Sequence, residues 1–336
     1  MTQRELAEEL GLSYATVSRV FNGDPRVQAS TRASVLAGAK RLGYKGNPLA
    51  RALRMKRSFA IGLVHPNTPD AFWAGILSGM ERRARETGYH VVICHRSADT
   101  PSREEIEFLL QRQVEALVFQ PFNGGENIEF IRTVLSGATP TVVLDNRLPD
   151  LESHFVGTDS RAGSRDACEH LLSLGHRRIA CVAGPRSNYA AESRVRGYRE
   201  ALAARREPFD PRLVRYGGWD VRDGLSGAEW LLRLPERPTA VLTVNDRCAM
   251  GLIRGLRSVG LRIPEDVSVI GYSGDPMGEL LDPPLTTVFQ PAEALGREVA
   301  DMALELIASP HSELLCRELP DELVVRGTTA PLRQLG

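Results

Sequence analysis

Two groups of side chains in this sequence carry recognisable chemistry. The first is packed into residues 14–19, where Tyr14, Ala15, Thr16, Ser18 and Arg19 are interrupted only by Val17. A guanidinium pairs with guanine O6 and N7, hydroxyls reach phosphate oxygens, and an alanine methyl can touch the methyl of thymine. A solvated helix without a partner more often carries Glu/Lys pairs. The second group is dispersed: Asp70, Phe72 and Trp73; Asp145, Asn146 and Arg147; Asn245 and Asp246; Ser273 and Asp275; and Gln290. Brought together, such residues suit a polyhydroxylated ligand, because rings cover C–H faces while amides, carboxylates and a guanidinium pair with hydroxyls. Taken singly, strand-end Asp and Asn are ordinary helix caps, and Phe72 and Trp73 ordinary core.

A third pattern is a near miss. Gly271-Tyr272-Ser273-Gly274 approaches the GxSxG turn of serine hydrolases, but Asp275 stands where the second glycine is needed. The histidine downstream would be His311, between proline and serine, so a hydrolase acting through Ser273 is the least favoured alternative. No Walker loop and no GxGxxG follows a strand-like run, so no cofactor is expected. The cysteines (Cys94, Cys168, Cys181, Cys248, Cys316) are odd in number and never form a CxxC pair, which points to reduced, mostly buried thiols and no metal site.

The elements that must position the first group are short helices. Thr2-Gln-Arg-Glu5 is a capping box, Leu6, Ala7 and Leu10 form an apolar stripe, and Gly11 ends the helix. Ser13 can cap a second helix over 14–21 with Val17 and Val20 turned inward, and a third runs from Ser30 to Gly43. Two short helices joined by a glycine-containing turn make a helix-turn-helix. Charge agrees: the chain balances 42 basic against 42 acidic residues, yet residues 1–58 hold eleven basic and four acidic ones, including all three lysines. That basic head on an acidic body fits a polyanion-binding module.

The second group falls at the ends of strand-like runs at 60–64, 90–94, 116–120, 141–144, 178–182, 240–244 and 267–271. These alternate with helical patterns at 72–86, 104–113, 163–174, 192–204 and 248–259. Alternation of this kind means parallel sheets with right-handed crossovers, and some ten units exceed one sheet, so two α/β subdomains are expected. Ligands of such sheets sit beyond the carboxyl ends of the strands, where the polar residues lie. At 336 residues, 42% hydrophobic and 25% charged, the chain has length for two or three domains. No apolar run nears the ~18 residues of a membrane span, and no basic-then-apolar leader opens the chain, so a cytoplasmic protein without membrane contact is expected.

Together, Leu6-Ala7, Gly11-Leu12-Ser13, Thr16-Val17-Ser18-Arg19-Val20, Asn22-Gly23, Thr31-Arg32 and Leu42-Gly43-Tyr44 resemble the headpiece of the lactose-repressor/galactose-repressor (LacI/GalR) regulators. The resemblance implies that Tyr14, Ala15 and Arg19 read bases in the major groove while Thr16, Ser18 and Asn22 mostly hold phosphates. Residues 47–54, opening Asn47-Pro48, resemble the family's hinge helix, in which Leu53 would be the apolar wedge pushed into the minor groove. Being short, that helix would need a partner or DNA to order it.

The likeness continues through Phe72-Trp73, residues 174–179, Arg194 before Gly197-Tyr198, Asn245-Asp246, residues 269–272 and 284–287 with Gln290, which are similar to a periplasmic-binding-protein-like effector core. It implies effector contacts at Phe72, Trp73, Asp145, Arg194, Trp219, Asn245 and Gln290, and a structural role for His176. Two positions depart from the family pattern: Ser273 replaces an Asp, with Asp275 two residues on, and Asn146 replaces an Arg beside Asp145.

The expected fold is therefore an all-α helix-turn-helix headpiece (1–46), a hinge helix and linker (47–58) and an α/β core of two parallel-sheet subdomains (59–330). The first subdomain would cover about 59–158 and 291–317, the second about 159–290 and 318–330. The expected protein is a transcriptional regulator of repressor type, binding a pseudo-palindromic duplex and a small-molecule effector such as a sugar or polyol. Tetrameric relatives carry a C-terminal leucine-heptad helix that is not seen here, so a homodimer is expected. A solute-binding protein without a regulatory role is the main alternative.

Overall fold

The computed structural model describes residues 1–21, 24–44, 57–66, 70–96, 102–121, 127–148, 151–310 and 313–332. Asn22, His311 and the expected hinge helix with Leu53 lie outside the described residues. The chain divides into two compact units, Met1–Phe59 and Ala60–Gly336.

In the head, α1 (Gln3–Glu9) starts on the capping box: Thr2 Oγ1 accepts from the Glu5 amide at 3.2 Å, and the Thr2 amide donates to Glu5 Oε2 at 3.0 Å. Gly11, at φ +62°, makes the turn into α2 (Tyr14–Phe21), where Ser13 Oγ accepts from the Thr16 amide at 3.1 Å. The third helix, α3 (Ala29–Arg41), begins one residue before Ser30, and its cap position is Gln28, which makes no side-chain cap bond. Leu6, Ala7, Val17, Val20, Val35 and Ala39 form the buried core of this unit. Arg32 of α3 donates to the carbonyls of Val20 and Asp24, fixing α3 to the end of α2.

The body opens with five strands separated by three helices: β1 (Ala60–Pro66), α4 (Ala71–Glu86), β2 (His90–Arg96), α5 (Arg103–Gln111), β3 (Ala116–Phe119), α6 (Ile128–Leu135), β4 (Thr141–Leu144) and β5 (His154–Thr158). The chain then crosses to a second set: α7 (Ser160–Ser173), β6 (Ile179–Ala183), α8 (Tyr189–Ala204), β7 (Val214–Tyr216), α9 (Val221–Leu232), β8 (Ala240–Thr243), α10 (Asp246–Arg257), β9 (Ser268–Ser273) and β10 (Thr286–Phe289). It returns with α11 (Ala292–Ala308) and β11 (Cys316–Leu319), and crosses a third time to β12 (Glu322–Val324). The two six-stranded sheets run β11-β5-β4-β3-β1-β2 and β12-β10-β9-β8-β6-β7. Every pairing is parallel except that of β12 with β10. The inner strands of the first sheet, β1, β3, β4 and β5, are buried almost throughout, as parallel strands covered by helices on both faces must be, while its edge strands β2 and β11 are partly exposed.

Helix pairs close on glycine. A Cβ on Gly296 of α11 would meet the Ile76 carbonyl of α4 at 1.9 Å, and one on Gly79 the Glu293 carbonyl at 2.0 Å. The same reciprocal contact joins α9 to α10 through Gly224 and Gly251, and Gly197 of α8 lies on the Arg161 carbonyl of α7. Backbones approach this closely only where no side chain stands between them.

Candidate functional site

In the head, the inward and outward residues of α2 separate as their spacing requires. Val17 and Val20 are buried, Tyr14, Ala15 and Arg19 are exposed, and Thr16 and Ser18 are half-buried. Tyr14 is 50% exposed, far more than an aromatic serving the core would be. No acidic residue occurs in α2, so its outer face presents hydroxyls, a phenol, a methyl and a guanidinium.

In the body, a cleft of about 440 Å³ is lined from both sheets. Its lining includes Phe72, Trp73, Asp145, Arg194, Trp219, Asn245, Ser273 and Gln290, eight of the nine residues expected to contact an effector. Each sits at a strand's carboxyl end or on the helix that follows, where parallel sheets leave room for ligands. Asp275 is not among the lining residues: its carboxylate accepts from the Met277 amide at 2.9 Å, capping a short 3-10 turn. Its carboxylate thus serves the local turn and does not line the cleft beside Ser273. The cleft is completed by Pro66, Asp70, Arg96, Gln120, Asn188, Asp220, Asp223 and Arg247. Gln120 and Arg96 were within reach of sequence reading, since each ends or extends a strand run, and Arg247 adjoins Asn245-Asp246. Asp220 and Asp223 open a helix that had no clear strand before it, and Asn188 lies six residues beyond the run at 178–182.

Arg194 organises the floor. It is 8% exposed, donates to the Val244 carbonyl and to Gln290 Oε1 at 3.2 Å, and lies 3.8 Å over the Tyr272 ring. Its Nε is buried with no hydrogen-bond partner among the described residues. Gln290 passes the chain on, donating to Thr158 Oγ1 at 2.8 Å. Asn245 caps α10, accepting from the Cys248 amide at 2.8 Å, while its amide donates to the Trp219 carbonyl. Asp145 has φ +60° and accepts from Gln120 Nε2 at 3.1 Å. Burial raises its carboxyl above the ordinary range, Arg194 and the Gln120 bond oppose the rise, and Asp70 adds to it. Burial likewise raises Asp70, which caps α4 through the Phe72 amide. Trp73 is 7% exposed and meets His65 edge-on at 4.7 Å, so most of this ring is core and only part of it faces the cleft.

Asn146 does not face the cleft. Its Nδ2 donates to the Pro121 carbonyl at 2.9 Å and its Oδ1 accepts from the Tyr189 amide at 2.8 Å, so it ties the first subdomain to the start of α8 in the second. His176 bridges Thr239, Ser268 and the Ala330 carbonyl, a structural use. Ser273, at φ +104°, opens a turn that Asp246 braces: Asp246 Oδ2 accepts from the Asp275 amide at 2.6 Å and its Oδ1 accepts from Thr287 Oγ1 at 2.6 Å. Among the described residues the cleft lining contains no histidine, and β9 is followed by a 3-10 turn in place of the helix a nucleophile elbow needs.

Among the described residues no group of three or more His, Cys, Asp or Glu could hold a metal ion. Cys168, Cys181 and Cys248 are buried, Cys94 is half-buried and Cys316 is exposed. No helix among the described residues is long and apolar enough to cross a membrane.

Comparison with known proteins finds the same two parts. Residues 2–47 match the model of bacterial regulatory proteins of the lacI family, and residues 168–329 match a periplasmic binding protein-like domain. The chain is 32% identical to the HTH-type transcriptional regulator DegA of Bacillus subtilis (strain 168), over 98% of this chain and 98% of that protein. It is 31% identical to the ribose operon repressor of Escherichia coli (strain K12), over 97% of this chain and 99% of that one. Among solved structures, the lac repressor dimer bound to operator and the anti-inducer ONPF superposes with a TM-score of 0.86 at 30% identity, covering 98% and 99% of the two chains. A head built on a capped helix-turn-helix, a body of two sheets about one cleft, and relatives matched from end to end agree: the chain belongs to the lacI family of bacterial regulatory proteins.

Proposed function

We propose that this protein is a sequence-specific transcriptional repressor, governed by a sugar or related polyol bound between the two sheets of its body. The observation that carries the reading is the cleft: carboxylates, amides, a guanidinium and aromatic rings from both subdomains line one space of about 440 Å³. The ribose operon repressor, matched along nearly the whole chain, supports both the regulator and the ligand class. Its relatives are regulators, and we assign no enzymatic activity to this chain and a cytoplasmic location.

In this reading Tyr14, Ala15 and Arg19 contact base edges, Thr16, Ser18 and Asn22 contact phosphates, and Leu53 wedges the centre of the site. Phe72, Trp73, Asp145, Arg194, Trp219, Asn245, Ser273 and Gln290 contact the effector. Residues 1–46 form the DNA-binding domain, 47–58 the hinge, and 59–330 the effector-binding and dimerisation core. One head reads a half-site, so a two-fold dimer reads a pseudo-palindrome from successive major grooves. An effector that closes the cleft moves one subdomain against the other and alters operator affinity, by a coupling of order ~1–3 kcal/mol.

The test is selection of bound duplexes from a random pool, with and without a panel of pentoses, hexoses, disaccharides and polyols. Recovery of a palindrome whose enrichment one compound changes is expected. Absence of any enriched sequence under every condition would leave the head without a specific target and overturn the reading.

A further inference from the structure

A second pocket of the body, about 350 Å³, lies where α7 and α8 meet the first crossing between the sheets, and it is lined almost wholly by polar residues. Arg161, Arg165 and Arg196 line it together with Thr158, Ser160 and Ser193, and the 14-residue helix α7 begins in it. Its two acids are already engaged. Asp159 caps α7 through the Ala162 amide at 3.0 Å, and Glu318 lies 3.4 Å from Arg147.

The cations are less fully used. Arg161 meets Glu200 and Arg165 meets Asp166, but a guanidinium has five donors, and one carboxylate leaves some of them unused. Arg196 is exposed and has no acidic partner among the described residues. Ser193 points to a ligand independently: it is only 7% exposed, lines this pocket, and its hydroxyl has no hydrogen-bond partner among the described residues. The hydroxyl oxygen itself still opens onto the pocket, so its proton is available to a bound oxyanion.

We propose that this pocket binds a small oxyanion, inorganic phosphate or a phosphate monoester, held by Arg196 and the spare donors of Arg161 and Arg165, with the Ser193 hydroxyl and the start of α7. The site shares a wall with the effector cleft. Thr158 lines the pocket and accepts from Gln290, which lines the cleft; Tyr189 lines the pocket one residue after Asn188, which lines the cleft. An anion bound here acts on the same two side-chain supports as the effector, so it is a second input to the regulator.

The experiment is isothermal titration of the full chain with sodium phosphate and with glycerol phosphate, without DNA or sugar, against sodium chloride of equal ionic strength. Saturable binding at one site per chain is expected, weakened about tenfold or more in Arg196→Ala and in Ser193→Ala. Tighter binding of the ester would identify a phosphorylated metabolite as the ligand, and equal binding the free ion. Because Arg196 is exposed, its variant folds even if Ser193→Ala does not. Failure to saturate over chloride, or binding untouched by Arg196→Ala, would overturn the proposal. So would a loss confined to Arg247→Ala in the cleft or Arg19→Ala in the head. Since no operator or effector enters the assay, its failure leaves the regulator reading standing.

Discussion

Asp246 shows what a single buried carboxylate does for the cleft. It is fully buried, accepts from Thr287, Asp275 and the Gly274 amide, and feels the like charge of Asp275. Burial pushes its carboxyl up to about 7, and burial likewise pushes Asp321 up to about 6 beside Tyr272 and Thr158. Folding raises both above their unfolded values, so the stability they contribute is full below about pH 4 and is lost as pH rises through 6 and 7. Buried His65, held down to about 4, works in the opposite sense, adding stability above its unfolded value and losing it on acidification. The contrast with Asp246→Asn isolates the aspartate. Between pH 8 and pH 5.5 the wild type should gain roughly 2 kcal/mol on the variant in urea denaturation. Equal pH slopes would show that Asp246 does not titrate in this range. Asn245 gives a second residue-level expectation, because one side chain both caps α10 and lines the cleft. Asn245→Ala should cost about 1 kcal/mol of stability for the lost cap and abolish the effector's influence on DNA binding. Retention of the full effector response would remove Asn245 from the site.

At the scale of elements, the glycine contacts make the helix pairs intolerant of a single methyl group. Gly296→Ala would press a Cβ onto the Ile76 carbonyl, and neither backbone can yield without separating α4 from α11. A loss of about 2–3 kcal/mol in chemical denaturation is expected, against about 1 kcal/mol for Ala at exposed Gly88, where nothing stands within 4 Å and only the strain of φ +79° remains. The elements themselves were unevenly legible. Long apolar runs such as 116–119 and 141–144 announced their strands, and the Thr2–Glu5 box announced α1 to the residue. β7, β11 and β12 are three or four residues long and mostly half-exposed, so they have too little apolar content to stand out. The helices α6, α9 and α11 also went unread, although α9 has a capping box of Asp220 and Asp223; it is a pair of aspartates, where the familiar form has Ser or Thr before Glu. The site was more legible than the fold, because strand-end polar residues are conspicuous whether or not every strand is found. Asp275 misled because a carboxylate two residues from the expected place was free to serve the local turn.

At the scale of the molecule, the basic head should govern how binding responds to ions. If a dimer neutralises roughly 6–10 phosphates, affinity for its operator should fall about 10³–10⁵-fold between about 50 and 200 mM salt. A flat response in a filter-binding or anisotropy titration would remove the head's charge surplus from the binding mechanism. The body has no such surplus, its acidic residues outnumbering its basic ones by seven, so the dependence belongs to residues 1–58.

The three crossings between the sheets also govern how the chain is made. β5 is complete at Thr158, but β11, its outer neighbour in the same sheet, begins only at Cys316. At some 5–20 residues per second, a ribosome takes roughly ten to thirty seconds to deliver that last strand, during which β5 presents an open, apolar edge. The head, whose core lies wholly within the first 44 residues, has no such wait. A nascent chain can thus carry a folded head while the first sheet of its body is still open, and a message cut short before β11 would release that head on a body whose sheet is never completed.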